Sequence, residues 1–394
     1  MDKKLKIIIF DGSFNTTPFI NRLAEGLSEK HEIYILGFNE NITTKLNNVQ
    51  YIKLGSNLNL LSFLKTSLKL AWYKGGFKCL LKTFKMLFKF ERKPLQQQNL
   101  MLAISQIQPD IVHLQWPSVI PLFEDILIKQ KIPVILSQRG YHSNVRPFVN
   151  TTNFKYLKQW YPKIAGFHSV SKAIAKKGDL IYKSPTKINK VVYTGVDLNE
   201  IPFSETYQKK KTLNIISVGR AHWIKGYNYA LQTCKILKEK GISFKYSIIG
   251  GNGDEELLYL RKSFNLEKEI VFLDKVPITK VVKMMQEAQL MLLPSIEEGI
   301  ANVVVEAIAI GLPVISTNCG GMEELITHNK EGWLVATRDP EAMAKEVMNF
   351  LQLDNAVIEE VKLNARRKVE ELCNVEKMVA EMEELYLEVL KTPL

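Results

Sequence analysis

The chain has 394 residues, 46% hydrophobic and 24% charged, with 21 Gly and 15 Pro spread along it. That composition excludes a collagen, a disulfide miniprotein, a coiled coil and a disordered chain, and the length predicts two domains of roughly 150 to 200 residues. The net charge of +12 is uneven: residues 1–210 hold 31 Lys and Arg against 14 Asp and Glu, the remainder 22 against 27. A half so basic wants an anionic partner.

The N-terminus is basic and then apolar, but the run from Lys6 to Phe10 stops at Asp11, too short for a signal-peptide core, and reads as a first buried strand. A helix over about Pro18 to Glu29 and a strand over Glu32 to Leu36 follow. Between Lys65 and Lys93, nine cations face one acid, Glu91. Within that segment Lys78, Lys82, Lys85 and Lys89 form one stripe of a helix, and Phe77, Leu81, Phe84 and Phe88 another. Such a basic amphipathic helix has two main readings. It is a lid packed on its domain by the Phe/Leu stripe with solvated lysines, or it contacts an anionic bilayer, where each Lys is worth about 1 kcal/mol. Nucleic acid is a much weaker third.

Further strands are expected at Ile111 to Leu114, Val134 to Leu136, Gly166 to Val170 and Lys190 to Tyr193. After a polar pause at residues 203–211 a second series begins. It has strands at Leu213 to Val218, Phe244 to Ile249, Ile270 to Leu273, Leu290 to Leu293 and Val314 to Ser316, with helices near Tyr229 to Glu239 and Glu255 to Phe264. Apolar runs separated by helices signal parallel sheets covered on both faces, hence two doubly wound α/β domains. The tail from about 340 to 390 is helical in composition. We expect an N-terminal domain over 1–205, a second over 206–375, and a final helix over 376–394 that crosses back to the first.

No stretch reaches the roughly 20 apolar residues of a spanning helix; the run from Ala307 to Met322 is broken by Gly311, Pro313 and a Gly pair. Cys79, Cys234, Cys319 and Cys373 are scattered, which indicates neither a zinc site nor a disulfide framework. The expectation is a cytoplasmic chain, at most peripheral on the inner face of the cell membrane.

The richest segment runs from Leu292 to Ile315. A strand ends at Pro294-Ser295, a loop carries Glu298-Gly299, and a helix starts near Asn302 and stops at Gly311. Amides at that start, near Ile300, Ala301, Asn302 and Val303, would attract a phosphate. Glu298 and Glu306 flank the turn. Carboxylates repel bare phosphate, so the pair points to hydroxyls of a ribose or sugar and hence to a sugar nucleotide. Arg220 and Lys225 follow a strand end, where two cations can neutralise a diphosphate without a metal.

The Glu, seven residues, Glu spacing followed by AIAIGLPVI resembles the signature of family 4 glycosyltransferases, retaining nucleotide-sugar enzymes of GT-B architecture. Three more blocks match in order: Ser217-Val218-Gly219-Arg220 with Lys225-Gly226; Ile248-Ile249-Gly250-Gly251-Asn252-Gly253; and Gly320-Gly321-Met322-Glu323-Glu324-Leu325-Ile326. The resemblance implies two Rossmann-like domains facing across a cleft. It places Arg220 and Lys225 on the donor diphosphate, Glu306 on ribose hydroxyls and Glu298 on the transferred sugar. It also puts the Gly250, Gly251 and Gly253 loop near the donor, with the loop at Lys275 and Val276 facing the base. Asp274 stands where relatives carry Gly, so UDP, GDP and ADP all stay open as carriers.

The first half matches more loosely, at Pro109 to His113, Ser169 to Ser171 and Gly195 to Asp197. The loop after the first strand keeps one glycine, Gly12, where relatives are Gly-rich. Arg139 stands at the position of a family His near the transferred sugar, with His142 three residues on; either could serve. The implied activity is retaining, metal-independent transfer from a nucleotide-diphosphate sugar to a saccharide or lipid-linked saccharide in bacterial surface polysaccharide biosynthesis. A sugar-nucleotide epimerase and a non-catalytic membrane or nucleic-acid adaptor are the alternatives.

Overall fold

A computed structural model describes residues 4–42, 45–199 and 201–392. The chain divides into two compact units. One holds residues 1–170, 174–195 and 375–394, the other residues 171–173 and 196–374.

In the first unit seven parallel strands, β1 (Lys6–Ser13), β2 (Glu32–Asn39), β3 (Val49–Lys53), β4 (Ile111–Leu114), β5 (Val134–Gln138), β6 (Gly166–Ser169) and β7 (Asn189–Val191), lie in the order β3-β2-β1-β4-β5-β6-β7. In the second, β8 (Leu213–Val218), β9 (Phe244–Ile249), β10 (Ile270–Leu273), β11 (Leu290–Leu293), β12 (Val314–Thr317) and β13 (Trp333–Val335) lie in the order β10-β9-β8-β11-β12-β13. Strand order reverses beside β1 and again beside β8, as in doubly wound folds. The final strand of the first series is shifted from the expected Lys190 to Tyr193, and β3 and β13, both edge strands, had no counterpart in the sequence reading. β1 runs past Phe10 through Gly12, where its register with β2 shifts at a bulge.

The alternation of β1 explains the layers. Ile8 and Phe10 enter one apolar cluster; Ile7 and Ile9 enter the other, which also receives Met378, Met382, Leu385, Tyr386 and Val389 from the last helix, Val375–Lys391. Gly26 and Gly166 let that helix sit close: a Cβ at either would meet Val379 or Val389 at 2.4 and 2.5 Å. The polar stretch at 203–211 belongs to the second unit, where Tyr207 is buried in the core and the Ser204 amide bonds Ile310 O at 3.0 Å.

A directed chain of hydrogen bonds crosses the interior of the first unit. His168 Nε2 lies 3.0 Å from Val192 O, which can only accept, so Nε2 carries the proton. Ser137 then donates to His168 Nδ1 at 2.8 Å and accepts from His113 Nε2 at 2.8 Å, leaving His113 Nδ1 to accept from Tyr386 O–H at 2.7 Å. Every member is satisfied with both rings neutral. Burial and then the Arg139 charge push the His113 pKa down to about 3, and His168 is lowered by the same causes. Because the folded state refuses protons that the unfolded chain accepts near pH 6.5, stability is complete above that pH and is lost progressively as pH falls toward 3. Tyr386→Phe removes the donor and strands a buried acceptor. Urea unfolding at pH 7 should show a loss of about 1–3 kcal/mol, and an unchanged midpoint would refute the chain.

Candidate active site

In the second unit most of the residues expected from the sequence to form a site follow the carboxyl ends of β8, β9, β10 and β11. β8 leads into Gly219 and Arg220, then a single 3₁₀ turn, Trp223–Lys225, then the helix Tyr227–Glu239. β11 leads to Ser295 and the loop at 296–300, then the helix Asn302–Ile310, whose start no side chain caps. β8 and β11 are neighbours at the reversal of strand order, so both loops leave the same edge.

The central contact is an ion pair. Lys225 Nζ lies 2.6 Å from Glu298 Oε1, and Ser295 Oγ donates to the same oxygen at 2.8 Å. Both charged side chains are largely covered, at 22% and 13% exposure. Arg220, exposed to solvent, forms no ion pair among the described residues. His222 lies between the two cations in sequence. Burial, then Arg220 and Lys225, lower its pKa, so the corner is cationic while its imidazole stays neutral at pH 7. Sequence reading did not single out His222. Its spacing, two residues after Arg220 and three before Lys225, was the available signal.

Close backbone approaches hold these loops. Gly250 (φ +89°) sits where a Cβ would lie 2.7 Å from Gly219 O, and its carbonyl accepts from the Ala221 amide at 2.8 Å. Gly226 (φ +65°) leaves no room for a Cβ against Pro294 O. The Gly321 amide donates to Gly299 O at 2.9 Å, which pins the 298–300 loop to the turn after β12. Gly219, Gly250, Gly299 and Lys225 are thus drawn together with Glu298. Glu306 lies on the helix Asn302–Ile310, half-buried between the buried Val305 and Ala307. Ile300, Asn302 and Val303 are half-buried and Ala301 buried at the helix entrance. Gly251 is buried and Gly253 exposed in the turn after β9. Lys275 and Val276 follow β10, where Asn252 Nδ2 donates to Asp274 Oδ1 at 3.1 Å.

In the first unit Gly12 ends β1 in a left-handed conformation (φ +91°) with open space beside it. Arg139 follows β5 and is buried, its guanidinium 4.3 Å above the Phe19 ring. His142 lies on the short helix Tyr141–Asn144, 6.3 Å from the Trp116 ring, which lies 6.3 Å from Phe19. Arg139 and His142 therefore flank one aromatic group. Among the described residues no cluster of His, Cys, Asp or Glu is suited to a metal ion.

The basic segment forms a platform of three helices, Leu60–Leu70, Gly76–Phe88 and Arg92–Ile107, the first two joined by one turn of π-helix, Ala71–Gly75. The platform rises from the carboxyl ends of β2 and β3: the Asn57 amide bonds Phe38 O at 2.7 Å and the Leu54 amide bonds Gly37 O at 3.0 Å. Its small interior of Phe63, Met86 and Leu95 is tied by Asn99, which donates to Leu54 O and Ser67 Oγ. The lid reading fails here. Thr83 and Met86 face inward, whereas Phe77, Leu81, Phe84 and Phe88 are 68, 53, 52 and 87% exposed. Leu58, Leu60, Leu61, Trp72, Tyr73 and Phe90 are exposed in the same segment. Lys78, Lys82, Lys85 and Lys89 are exposed too, and the last three line a groove of about 550 Å³ with Glu91 and Asp125. Among the described residues no helix is long and apolar enough to cross a membrane.

The fold is GT-B. Sucrose-phosphate synthase from Thermosynechococcus elongatus superposes with a TM-score of 0.77, covering 98% of this chain and 100% of that one at 15% identity. Anabaena Alr3699/HepE, solved with UDP and glucose, gives 0.70 over 98% and 100% at 14% identity. Residues 199–368 match the family model of the group 1 glycosyl transferases. The chain is 36% identical over 183 residues to the putative colanic acid biosynthesis glycosyltransferase WcaL of Escherichia coli K12, 45% of each chain. It is 37% identical over 165 residues to the amylovoran biosynthesis glycosyltransferase AmsK of Erwinia amylovora, 40% of each. These matches span less than half the length of either relative.

Gly250→Ala should push the β8 and β9 loops apart. We expect a loss of about 1–3 kcal/mol in urea unfolding, the usual cost of forcing a side chain into strained backbone; wild-type stability would show that the loops are not in this contact.

Proposed function

We propose that the protein is a retaining glycosyltransferase that moves a sugar from a nucleotide-diphosphate donor to a saccharide or lipid-linked saccharide, in the assembly of a bacterial surface polysaccharide. One observation supports the reading: the loop of Arg220 and Lys225 and an uncapped helix start follow β8 and β11, neighbours at the strand-order reversal of the second unit, the place where open α/β sheets bind ligands. The similarity of residues 199–368 to group 1 glycosyl transferases supports it, as do relatives named for colanic acid and amylovoran biosynthesis. HepE, whose structures hold UDP and UDP-glucose, favours a UDP-sugar.

In this reading the bond from the anomeric carbon to the diphosphate oxygen breaks as negative charge grows on the leaving group. The Arg220 fork, the Lys225 ammonium and the amides near Asn302 stabilise that charge with little reorganisation. Glu306 takes ribose hydroxyls and Glu298 the transferred sugar. The acceptor oxygen attacks from the leaving-group face and its proton passes to the departing phosphate, so configuration is retained. Two side-chain cations can neutralise the negative charge of the diphosphate, and we propose that turnover is metal-independent. Glu298 holds Lys225 until the diphosphate arrives; the incoming anion then shares the ammonium.

The anionic membrane surface is the partner we assign to the helical platform. Phe77, Leu81, Phe84 and Phe88 can enter the interface while the adjoining lysines meet lipid phosphates. Such docking suits an enzyme with a lipid-linked acceptor.

Arg220→Ala and Lys225→Ala should each lower transfer from a UDP-sugar by about 10²- to 10³-fold, as for other lost charge stabilisers, with unchanged far-UV circular dichroism. EDTA should leave the wild-type rate intact, and NMR of the product should show the donor's anomeric configuration. Full activity in both variants removes the diphosphate clamp. A separate test uses vesicles of phosphatidylcholine with and without phosphatidylglycerol. Replacing Lys78, Lys82, Lys85 and Lys89 by Gln should weaken sedimentation with anionic vesicles at least about tenfold, given about 1 kcal/mol for each cation. Phe84→Ser with Phe88→Ser should abolish the binding that survives high salt. Unchanged sedimentation in both variants refutes the membrane assignment.

A further inference from the structure

The first unit contains a buried positive charge that no carboxylate among the described residues neutralises. Arg139 is 6% exposed. Its guanidinium makes one long hydrogen bond, Nη2 to Gln115 Oε1 at 3.5 Å, and rests on the Phe19 ring at 4.3 Å. Among the described residues Arg139 Nε has no acceptor, and neither does Nε2 of Gln115, which is fully buried just after β4. Among the described residues no carboxylate pairs with Arg139. Burial lowers its pKa only to about 9, so it stays charged at neutral pH, and its charge adds to the burial that keeps the nearby His113 and His168 neutral. A buried cation without a partner costs several kcal/mol, and a neutral side chain of similar size would pack there without that cost.

The surroundings are those of a ligand corner. β4 and β5 are adjacent strands, so Gln115 and Arg139 leave the same edge of the sheet, where doubly wound folds take ligands. Gly140, next to Arg139, is left-handed (φ +44°) with open space beside it, and so is Gly12 at the end of β1. Phe19, which carries the Arg139 guanidinium on its ring, pairs edge-on with Trp116 at 6.3 Å beside it.

We propose that Arg139 and Gln115 form an oxyanion site in the first unit for a carboxylate or phosphate ester carried by the saccharide substrate. The proposal rests on the transferase reading for the word substrate, and on the uncompensated guanidinium for the rest. A guanidinium fork binds a planar carboxylate or a phosphate through two parallel N–H bonds, and the orphan amide of Gln115 adds a third donor. A neutral sugar hydroxyl would satisfy donors but leave the charge buried alone.

The test is thermal unfolding of the full chain against glucuronate, inorganic phosphate and glucose, each titrated to saturation or 100 mM at constant ionic strength. It uses wild type, Arg139→Met, Arg139→Lys and the double variant Arg220→Ala/Lys225→Ala. Wild type and the double variant should be stabilised by glucuronate, by phosphate or by both, and not by glucose; which of the two acts separates a carboxylate from a phosphate substrate. Arg139→Met should lose the response while its ligand-free midpoint rises by about 2–4 °C, the shift expected for roughly 1 kcal/mol in a domain of this size. Arg139→Lys, a point charge without the fork, should respond at least about tenfold more weakly. An undiminished response in Arg139→Met, no response in wild type, or a lower ligand-free midpoint in Arg139→Met overturns the proposal; the last would make Arg139 a packing residue. Failure of the transferase reading is distinct: UDP binding would be absent while the glucuronate or phosphate response persisted.

Discussion

The Lys225–Glu298 ion pair depends on a constraint that neither residue contains. The two lie 73 positions apart and meet at 2.6 Å because β8 and β11 pair as neighbours and both loops emerge at one edge. Partly covered charges need this geometry. Alone, either would pay a desolvation cost that a surface ion pair barely repays. Ser295 adds a second bond to the same carboxylate oxygen, so the pair is held in one arrangement, and Gly226, Gly250 and Gly321 keep the supporting backbones at distances a Cβ would forbid. A site assembled this way is rigid before any ligand arrives, which is what a stabiliser of developing charge requires.

The first unit handles buried polarity differently. There the sheet is crossed by a relay of neutral groups, Tyr386, His113, Ser137 and His168, in which every donor has one acceptor and the final carbonyl fixes the direction of all the others. The relay also docks the last helix, since Tyr386 sits in the apolar cluster that covers Ile7 and Ile9. Arg139 lies beside this relay as its opposite: a charge with one long bond. Burial first, and then the Arg139 charge, keep the histidines neutral, so the two features are electrostatically consistent even though only one of them is satisfied.

How much of this was legible follows from burial. Leu213–Val218, Phe244–Ile249 and Leu290–Leu293 could be read to the residue as interior parallel strands rich in buried apolar side chains, and Ile270–Leu273, although an edge strand, because all four of its residues are apolar. β3 and β13 escaped because they carry too little pattern: Val49–Lys53 is five residues interrupted by Gln50 and ended by Lys53, and Trp333–Val335 is three residues long. His222 escaped for another reason. A single imidazole carries no repeating pattern, and although Arg220 and Lys225 are its neighbours in sequence, the burial that first lowers its pKa comes only with the fold.

The platform shows where periodicity stops being informative. The 3.6-residue repeat correctly gives a helix over Gly76–Phe88, and the ordinary inference is that its Phe/Leu stripe faces the core. The inward face is instead the narrow one of Thr83 and Met86, hydrogen-bonded through Thr83 to Gln98 at 2.6 Å. A moment calculated from sequence measures segregation of apolar from charged residues and says nothing about which phase receives the apolar side. With nine cations between residues 65 and 93 against one acid, a purely proteinaceous cover for those phenylalanines would have to bring its own negative charge. A bilayer of anionic lipid offers both an apolar interior and a phosphate surface within the width of one helix, which is why the arrangement of two adjacent exposed stripes favours it.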